Sequence, residues 1–479
     1  MLWLCANLPN LAIEIGSRGA PANEPLAIAE GEGREQRIVA ANEYARHAGV
    51  CAGAPIGEAY ALIHNLRVRP RCPSAEREAL AQLAAWSGQY TSFVSLAPPD
   101  ALLLEVEGSR NLFGSYDRLV ASLRRGLKDL GYGACIAVAP TPLGATWLAR
   151  GKREVCVTDH AALFSALAKL PLTCLDLDAD GESLLRALGL TALIDCLRLP
   201  RDGIARRVGP HILELLDRAF GRKPDPRSAF VPPEHFRARL ALPAPVATRD
   251  ALLFPLHRLL LELAGFLLAR GSGAAELVIT LRAGRGAPSL RVSLPLVTPS
   301  RDAQHLTDLV RERLERMTLK APVEEVLLQV EALPPLAPQP ADFFAGARPP
   351  DALRAQLVER LQARLGRDAV RGIATHADHR PERGWRYVEA GAAGEAVANR
   401  RRPMWLLPEP MALEIREGAP YRDGALALET GQERIESGWW DGADIGRDYF
   451  IARDAHGRRL WIFREMAAPR RWFLHGVFG

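Results

Sequence analysis

Residues 2–8 (LWLCANL) open the chain with a short apolar run, the pattern of a buried central strand. Two more strand candidates follow at 25–30 (PLAIAE) and 36–42 (QRIVAAN). Over 75–90 the apolar positions recur at helical spacing (Leu80, Leu83, Ala84). SFVSL (92–96) and ALLLEVE (101–107) predict a strand pair joined by a Pro98-Pro99 turn. A helix over 115–130 and a strand over 134–139 (ACIAVA) complete an α+β first domain. From 168 to 240 the pattern breaks into short helices separated by Gly, Pro and Asp, and Pro232-Pro233 with 241–249 (ALPAPVATR) reads as a linker. A helix over 251–270, strands over 276–282 and 289–295, a helix over 302–318 and a strand over 324–331 predict a second compact α+β unit. The Pro-rich stretch 333–350 sustains neither helix nor sheet and is expected to be exposed. A helix over 351–365 and a mixed, strand-leaning tail follow, without an internal repeat.

Composition narrows the class. A chain of 479 residues predicts three or four domains at about 100–200 residues each. With 48% hydrophobic and 24% charged residues it can bury real cores. The net charge of +5 is mild, but the 61 Lys+Arg are heavily biased to Arg, which suits bidentate phosphate contacts. A GC-rich genome gives the same bias. Seven scattered cysteines (Cys5, Cys51, Cys72, Cys135, Cys156, Cys174, Cys196) form no CxxC pair, as expected for reduced thiols of a cytoplasmic protein. The N-terminus lacks the basic region of a signal peptide, and Pro255, His257, Arg258 and Glu262 break the longest apolar stretch, so no membrane span is expected. The absence of a GxxxxGK[ST] loop argues against a P-loop ATPase. His376 and His379 read as loop residues rather than metal ligands.

Three segments in the first half carry a family likeness. They are the opening strand with Glu14 behind it, AANEYARHAGV (40–50) with Pro55 and a helix to Ala61, and YTSFVSLAPPDALLLEV (90–106). The second has the form of a fingers segment ANYxARxxGV, and the third aligns without gaps on a palm motif ending SLDEAYLDV. In order, they resemble the DinB branch of the Y family of translesion DNA polymerases. The resemblance implies a multidomain α+β chain. Palm and fingers (UmuC-like) would occupy 1–167, a helical thumb that binds DNA backbone 168–240, and an α+β little finger 250–335. A linker with a clamp-binding motif would follow at 336–350, then a C-terminal partner-binding region at 351–479.

The departures from that pattern bear on activity. Such polymerases use two Mg²⁺ about 3.5–4 Å apart, held by carboxylates and phosphates. The family supplies an Asp on the first strand and an Asp-Glu pair on the palm hairpin. Here the first position is Cys5, the one two further on is Asn7, and the pair is Asp100-Ala101. Thiol and amide do not offset two divalent ions, so the resemblance implies a site with no catalysis, no metal and no cofactor. Glu43 replaces the fingers Tyr, with Tyr44 one position along. Arg46 matches a triphosphate-binding Arg, a vestigial nucleotide contact; the alternative is a surface Arg on a helix. The competing reading is an active error-prone polymerase in which Asp100 joins a rebuilt carboxylate site with Glu105 or Glu14. Strand alternation places Glu105 and Glu107 at the parity opposite to Asp100.

Five segments of the tail, RRPMWLLPEP (401–410), GQERIESGWWDG (431–442), RDYFIARD (447–454), RRLWIFRE (458–465) and RWFLHGVFG (471–479), resemble the C-terminal region of the catalytically inactive Y-family homologues of bacterial SOS mutagenesis cassettes. That resemblance implies an adaptor for damaged DNA. Its protein partners would be the sliding clamp (beta subunit), ImuA or another RecA-like partner, and an error-prone DNA polymerase III alpha subunit. Gln339, Asp342, Phe343 and Phe344 match the clamp-binding form QxxDLF, in which a terminal apolar pair fills a pocket. The alternative is that the two Phe dock the linker on the chain's own core. Arg206 and Arg207 stand where a thumb contacts DNA backbone, or are solvated. Arg400, Arg401 and Arg402 read as a solvated loop, and Trp439, Trp440 and Tyr449 as packing a small β-rich module, the alternative being that they stack on bases or on a partner.

Overall fold

The computed structural model describes residues 1–17, 24–175, 177, 179–284, 288–336, 350–396 and 402–479. They fall into two compact units, Met1–Arg364 and Leu365–Gly479.

The first unit begins with β1 (Trp3–Asn7) and α1 (Leu11–Gly16). A small sheet follows, built from β2 (Leu26–Glu30), β3 (Arg37–Ala41), α2 (Glu43–His47), α3 (Ile56–Leu62) and β4 (Arg67–Pro70), with strand order β3-β2-β4. Strand β4, which the sequence pattern did not reveal, runs parallel to β2. Next come α4 (Pro73–Ser87), β5 (Val94–Ala97), β6 (Ala101–Glu105), α5 (Arg110–Phe113), α6 (Tyr116–Asp129), β7 (Cys135–Ala139), α7 (Pro142–Arg150) and α8 (His160–Ala168). The main sheet has the order β5-β6-β1-β7, so β1 is interior.

This position explains why LWLCANL is apolar except at Asn7: a strand covered on both faces has no side to leave polar. Leu4 and Ala6, with Leu102 and Leu104 of β6, pack on Leu80 and Leu83 of α4 and on Leu119, Leu123 and Leu127 of α6. Trp3 and Cys5, with Ala101 and Leu103, face Leu143, Trp147 and Leu148 of α7 instead. Each fully buried Leu contributes about 1.5–3 kcal/mol.

Four short helices, α9 (Ala179–Ala187), α10 (Leu193–Arg198), α11 (Arg201–Arg207) and α12 (His211–Ala219), occupy the region read as short helices. Leu193, Ile204, Ile212 and Leu216 join the core that contains Cys5. The second sheet contains β8 (Phe236–Val246), α13 (Arg249–Arg270), β9 (Ala274–Ala283), β10 (Leu290–Ser300), α14 (Ala303–Glu315) and β11 (Val323–Val330), in the order β10-β9-β11-β8. Segment 241–249 was expected to be a linker, but most of it is the end of β8. Its prolines, Pro243 and Pro245, are tolerated because β8 is an edge strand. The ladder to β11 jumps from Ala241 to Val246, and both prolines fall inside the jump. Helix α15 (Pro350–Leu365) closes the unit.

Helix α13 is long and apolar enough to cross a membrane, yet over half of its apolar window is buried. Part of that burial is against the main sheet's helices. The indole of Trp86 on α4 lies between Gly126 of α6 and Gly265 of α13. A Cβ on Gly126 would stand 2.5 Å from Trp86 Cη2, and one on Gly265 would overlap the indole ring.

In the second unit, β12 (Arg371–Thr375) and β13 (Trp385–Glu389) form a hairpin. The strands β14 (Trp405–Ala412), β15 (Glu414–Arg416), β16 (Ala419–Tyr421), β17 (Ala427–Ser437), β18 (Ile445–Arg453), β19 (Arg459–Glu465) and β20 (Trp472–Val477) follow. Five of them make a sheet in the order β14-β20-β19-β18-β17. Tyr449, Trp461 and Phe463 fill one face and Leu460, Ile462 and Leu474 the other. The mixed α+β architecture and the strand-rich extension expected from the sequence are both present.

Candidate functional site

The sequence-predicted positions converge at one end of the β1–β6 ladder. Asn7 pairs with Ala101 and Cys5 with Leu103, and the Leu8 N–H donates to the Asp100 carbonyl at 2.7 Å. Cys5 and Asn7 are two apart and share a face. Cys5 is fully buried in the apolar cluster beneath α7. Burial pushes its thiol up to about 12, against smaller opposing effects of the Thr146 hydrogen bond and of Arg150 and Arg227; the Asp100 carboxylate adds to the rise. The thiol is therefore neutral at physiological pH. Asn7 is also buried, and its Oδ1 has no hydrogen-bond partner among the described residues. Ala101 is fully buried, and Asp100 is half-buried at the rim.

The other carboxylates have separate tasks. Glu105 pairs with Trp3 at the far end of the ladder, five residues from Asp100, or about 16 Å along an extended strand. Its Oε1 accepts from the Leu2 and Glu107 N–H groups at 3.3 and 3.2 Å. Glu107 meets the N-terminal ammonium at 2.7 Å, and Glu14 Oε1 accepts from the Gly133 N–H at 2.8 Å. Asp100 and Glu105 are therefore far apart compared with the spacing of about 4 Å between the two metal ions of such a centre. Among the described residues no three His, Cys, Asp or Glu side chains converge to hold a metal ion.

Around this centre the sequence reading missed α7 and its cationic end. Thr146 and Arg150 lie on α7, whose start was signalled by Thr141-Pro142: the Thr141 hydroxyl accepts from the Gly144 N–H at 3.1 Å, and Pro142 takes the first helical position. Arg227 lies beyond α12 and pairs with Asp225 at 2.6 Å.

The expected nucleotide-contact residues lie on the small sheet. Asn42 organises them: its Oδ1 accepts from Ala45 N–H (3.0 Å) and Leu26 N–H (3.2 Å), and its Nδ2 donates to the Glu24 carbonyl (2.7 Å). It thus caps α2, which presents Glu43, Tyr44 and Arg46 to solvent. Arg206 and Arg207 are exposed on the last turn of α11, and among the described residues no carboxylate pairs with them. Gln339, Asp342, Phe343 and Phe344 lie outside the described residues, as do Arg400 and Arg401.

Three expectations for the tail change. Arg402 is not a solvated loop residue: it pairs with Glu433 and lies 4.9 Å from the Trp461 ring centroid. Trp439 and Trp440 do not pack the module, being 81% and 58% exposed, whereas Tyr449 does, at 1%. The β17–β18 loop that carries the indoles is tied down by Asp441, which takes Arg380 at 2.8 Å and Arg383 at 2.7 Å. His376 meets Glu395 at 3.1 Å rather than a metal partner.

Comparison with known proteins places this geometry. Residues 14–150 match the model of the impB/mucB/samB family. Protein ImuB of Caulobacter vibrioides, in each of two strains, is 30% identical over 464 residues, covering 90% of this chain and 100% of that protein. The chain belongs to the ImuB family. For this ImuB-family chain, the impB/mucB/samB match includes Asp100 and Ala101 and begins after Cys5 and Asn7. Among solved structures, DinB from Sulfolobus solfataricus aligns over 70% of this chain and 100% of its own length, with TM-score 0.40 and 17% identity. An insertion ternary complex of Dbh DNA polymerase aligns over 70% and 100%, with TM-score 0.40 and 18% identity.

Proposed function

We propose that the protein is a non-catalytic, polymerase-like adaptor in SOS-induced translesion DNA synthesis and mutagenesis. One observation carries the reading: the position that would hold the first metal ligand is Cys5, a neutral thiol sealed inside an apolar core. A buried site of that kind favours neither an ionised ligand nor a hydrated cation. Asn7 and Ala101 beside it add no negative charge. Membership of the ImuB family and the match to the impB/mucB/samB model support the assignment.

In this role Arg206 and Arg207 contact DNA backbone, so affinity is weak and falls with salt. Gln339, Asp342, Phe343 and Phe344 engage the sliding clamp, and the region after 351 recruits a RecA-like partner and an error-prone polymerase III alpha subunit.

Primer extension tests the catalytic half of the proposal. Purified protein with Mg²⁺ or Mn²⁺ is expected to add no nucleotide to a primed template. Template-dependent incorporation that disappears in Asp100→Ala would overturn it. For the clamp, the double change Phe343→Ala and Phe344→Ala is expected to abolish pull-down of purified beta subunit with an unchanged melting curve. Full retention of binding would remove this segment from the interface.

A further inference from the structure

Helix α15 carries its apolar residues on the wrong side for a helix that serves only its own core. Its inward row is Ala355, Glu359 and Ala363, each at most 8% exposed. Leu353, Leu357, Leu361 and Leu365 are 51%, 58%, 37% and 52% exposed. With 3.6 residues per turn, the two rows are centred about 180° apart.

Glu359 fixes this orientation. Its Oε1 accepts from the Val297 and Thr298 N–H groups at 2.7 and 3.1 Å, and its Oε2 meets His305 Nε2 at 2.6 Å. Rolling the helix to bury the leucines would strip all three groups of this partner, and the buried His305 would lose its own most completely. The fold therefore keeps a glutamate inside and four leucines out.

Leucines at i, i+4, i+8 and i+12 form a continuous ridge of the kind that enters the groove of a second helix. An exposed apolar ridge of this length marks an interaction surface. Its borders are cationic: Arg354, Arg360 and Arg364 are exposed, and Arg360 also reaches Glu312 at 3.3 Å. The helix's acid at 359 is buried and contributes no charge to that surface. Two copies placed ridge to ridge would set Arg against Arg, so charge disfavours self-pairing and favours an acidic complement.

We propose that this ridge docks an amphipathic helix of a partner protein whose apolar row is flanked by Asp or Glu. The proposal does not depend on whether the Cys5 site is silent.

Site-specific photocrosslinking of the full-length chain tests it. Benzoylphenylalanine is placed at position 357, the cells are irradiated, and the crosslinked peptide is sequenced. The expected product is a peptide of another protein with an i, i+4 apolar row and acidic flanks. A fluorescein-labelled synthetic copy is expected to bind the purified chain, and at least tenfold more weakly after Leu357→Glu with Leu361→Glu, at unchanged melting temperature. Crosslinks confined to this chain's own peptides, a crosslinked peptide without acidic flanks, no crosslink, or equal binding to the variant would each overturn the proposal.

Discussion

Trp86→Ala is expected to lower the unfolding free energy of the first unit by about 3–5 kcal/mol, the usual cost of deleting a buried tryptophan. Trp86 is 5% exposed, and its indole joins three helices at once, because Gly126 and Gly265 let α6 and α13 approach it without a Cβ between. The companion change Gly265→Ala separates this account from simple loss of packing. Helix propensity alone would make the alanine stabilising by about 1 kcal/mol. The overlap with the indole costs about 1–3 kcal/mol and offsets that gain, giving a net loss of up to about 2 kcal/mol. In the Trp86→Ala background the remaining close neighbour is the Gln89 amide, 2.5 Å from the added Cβ at the free end of a flexible side chain, and Gly265→Ala is expected to stabilise. Urea unfolding followed by far-ultraviolet circular dichroism measures all four states of the cycle. A stabilising Gly265→Ala in the otherwise unchanged protein would show that the slot is not tight.

The second unit is expected to lose about 3 kcal/mol of stability between pH 6.5 and pH 4. His475 is 1% exposed, and burial lowers its imidazole from 6.5 to about 4; Glu382 opposes the shift and Arg447 adds to it. As the neutral ring, its Nδ1 accepts from the Tyr449 hydroxyl at 2.8 Å. Arg447 in turn donates to the Tyr449 oxygen at 3.1 Å. The unfolded ring takes a proton near pH 6.5 and the folded ring only near pH 4. The contribution is thus whole above 6.5 and lost as the pH falls to 4. Asp378 and Asp441 are held below the usual carboxylate range by hydrogen bonds from Arg380, so their contribution is lost only at still lower pH. Thermal melts read by near-ultraviolet circular dichroism, in steps from pH 7.5 to 4, resolve the upper window. His475→Gln is expected to flatten it. A flat profile for the unsubstituted protein would contradict the assignment.

Much of the fold was legible because local pattern and final position agree. LWLCANL carries apolar residues on both sides and lies between two layers; Leu119, Leu123 and Leu127 repeat at helical spacing and face the sheet. The pairing of Asn7 with Ala101 was not legible, because it joins β1 to a strand far along the chain. What escaped depends on partners far along the chain. Two prolines disguise β8, whose edge place is set by β11, about eighty residues on. The outward leucines of α15 follow from Glu359 meeting Val297, Thr298 and His305, 54 to 62 residues back. Trp439 and Trp440 were expected inside because aromatics usually pack. They lie instead on a loop held from Arg380, 61 residues before Asp441.

The order of strands in the second unit carries a consequence for biosynthesis. β20 sits between β14 and β19, yet it is the last of the five to leave the ribosome. A nascent chain paused before Trp472 holds a split sheet, with the inner edges of β14 and β19 both bare and able to capture a strand from elsewhere. This module therefore closes after translation of its final strand rather than during it, and a chaperone that shields those two edges in the interval would raise its yield.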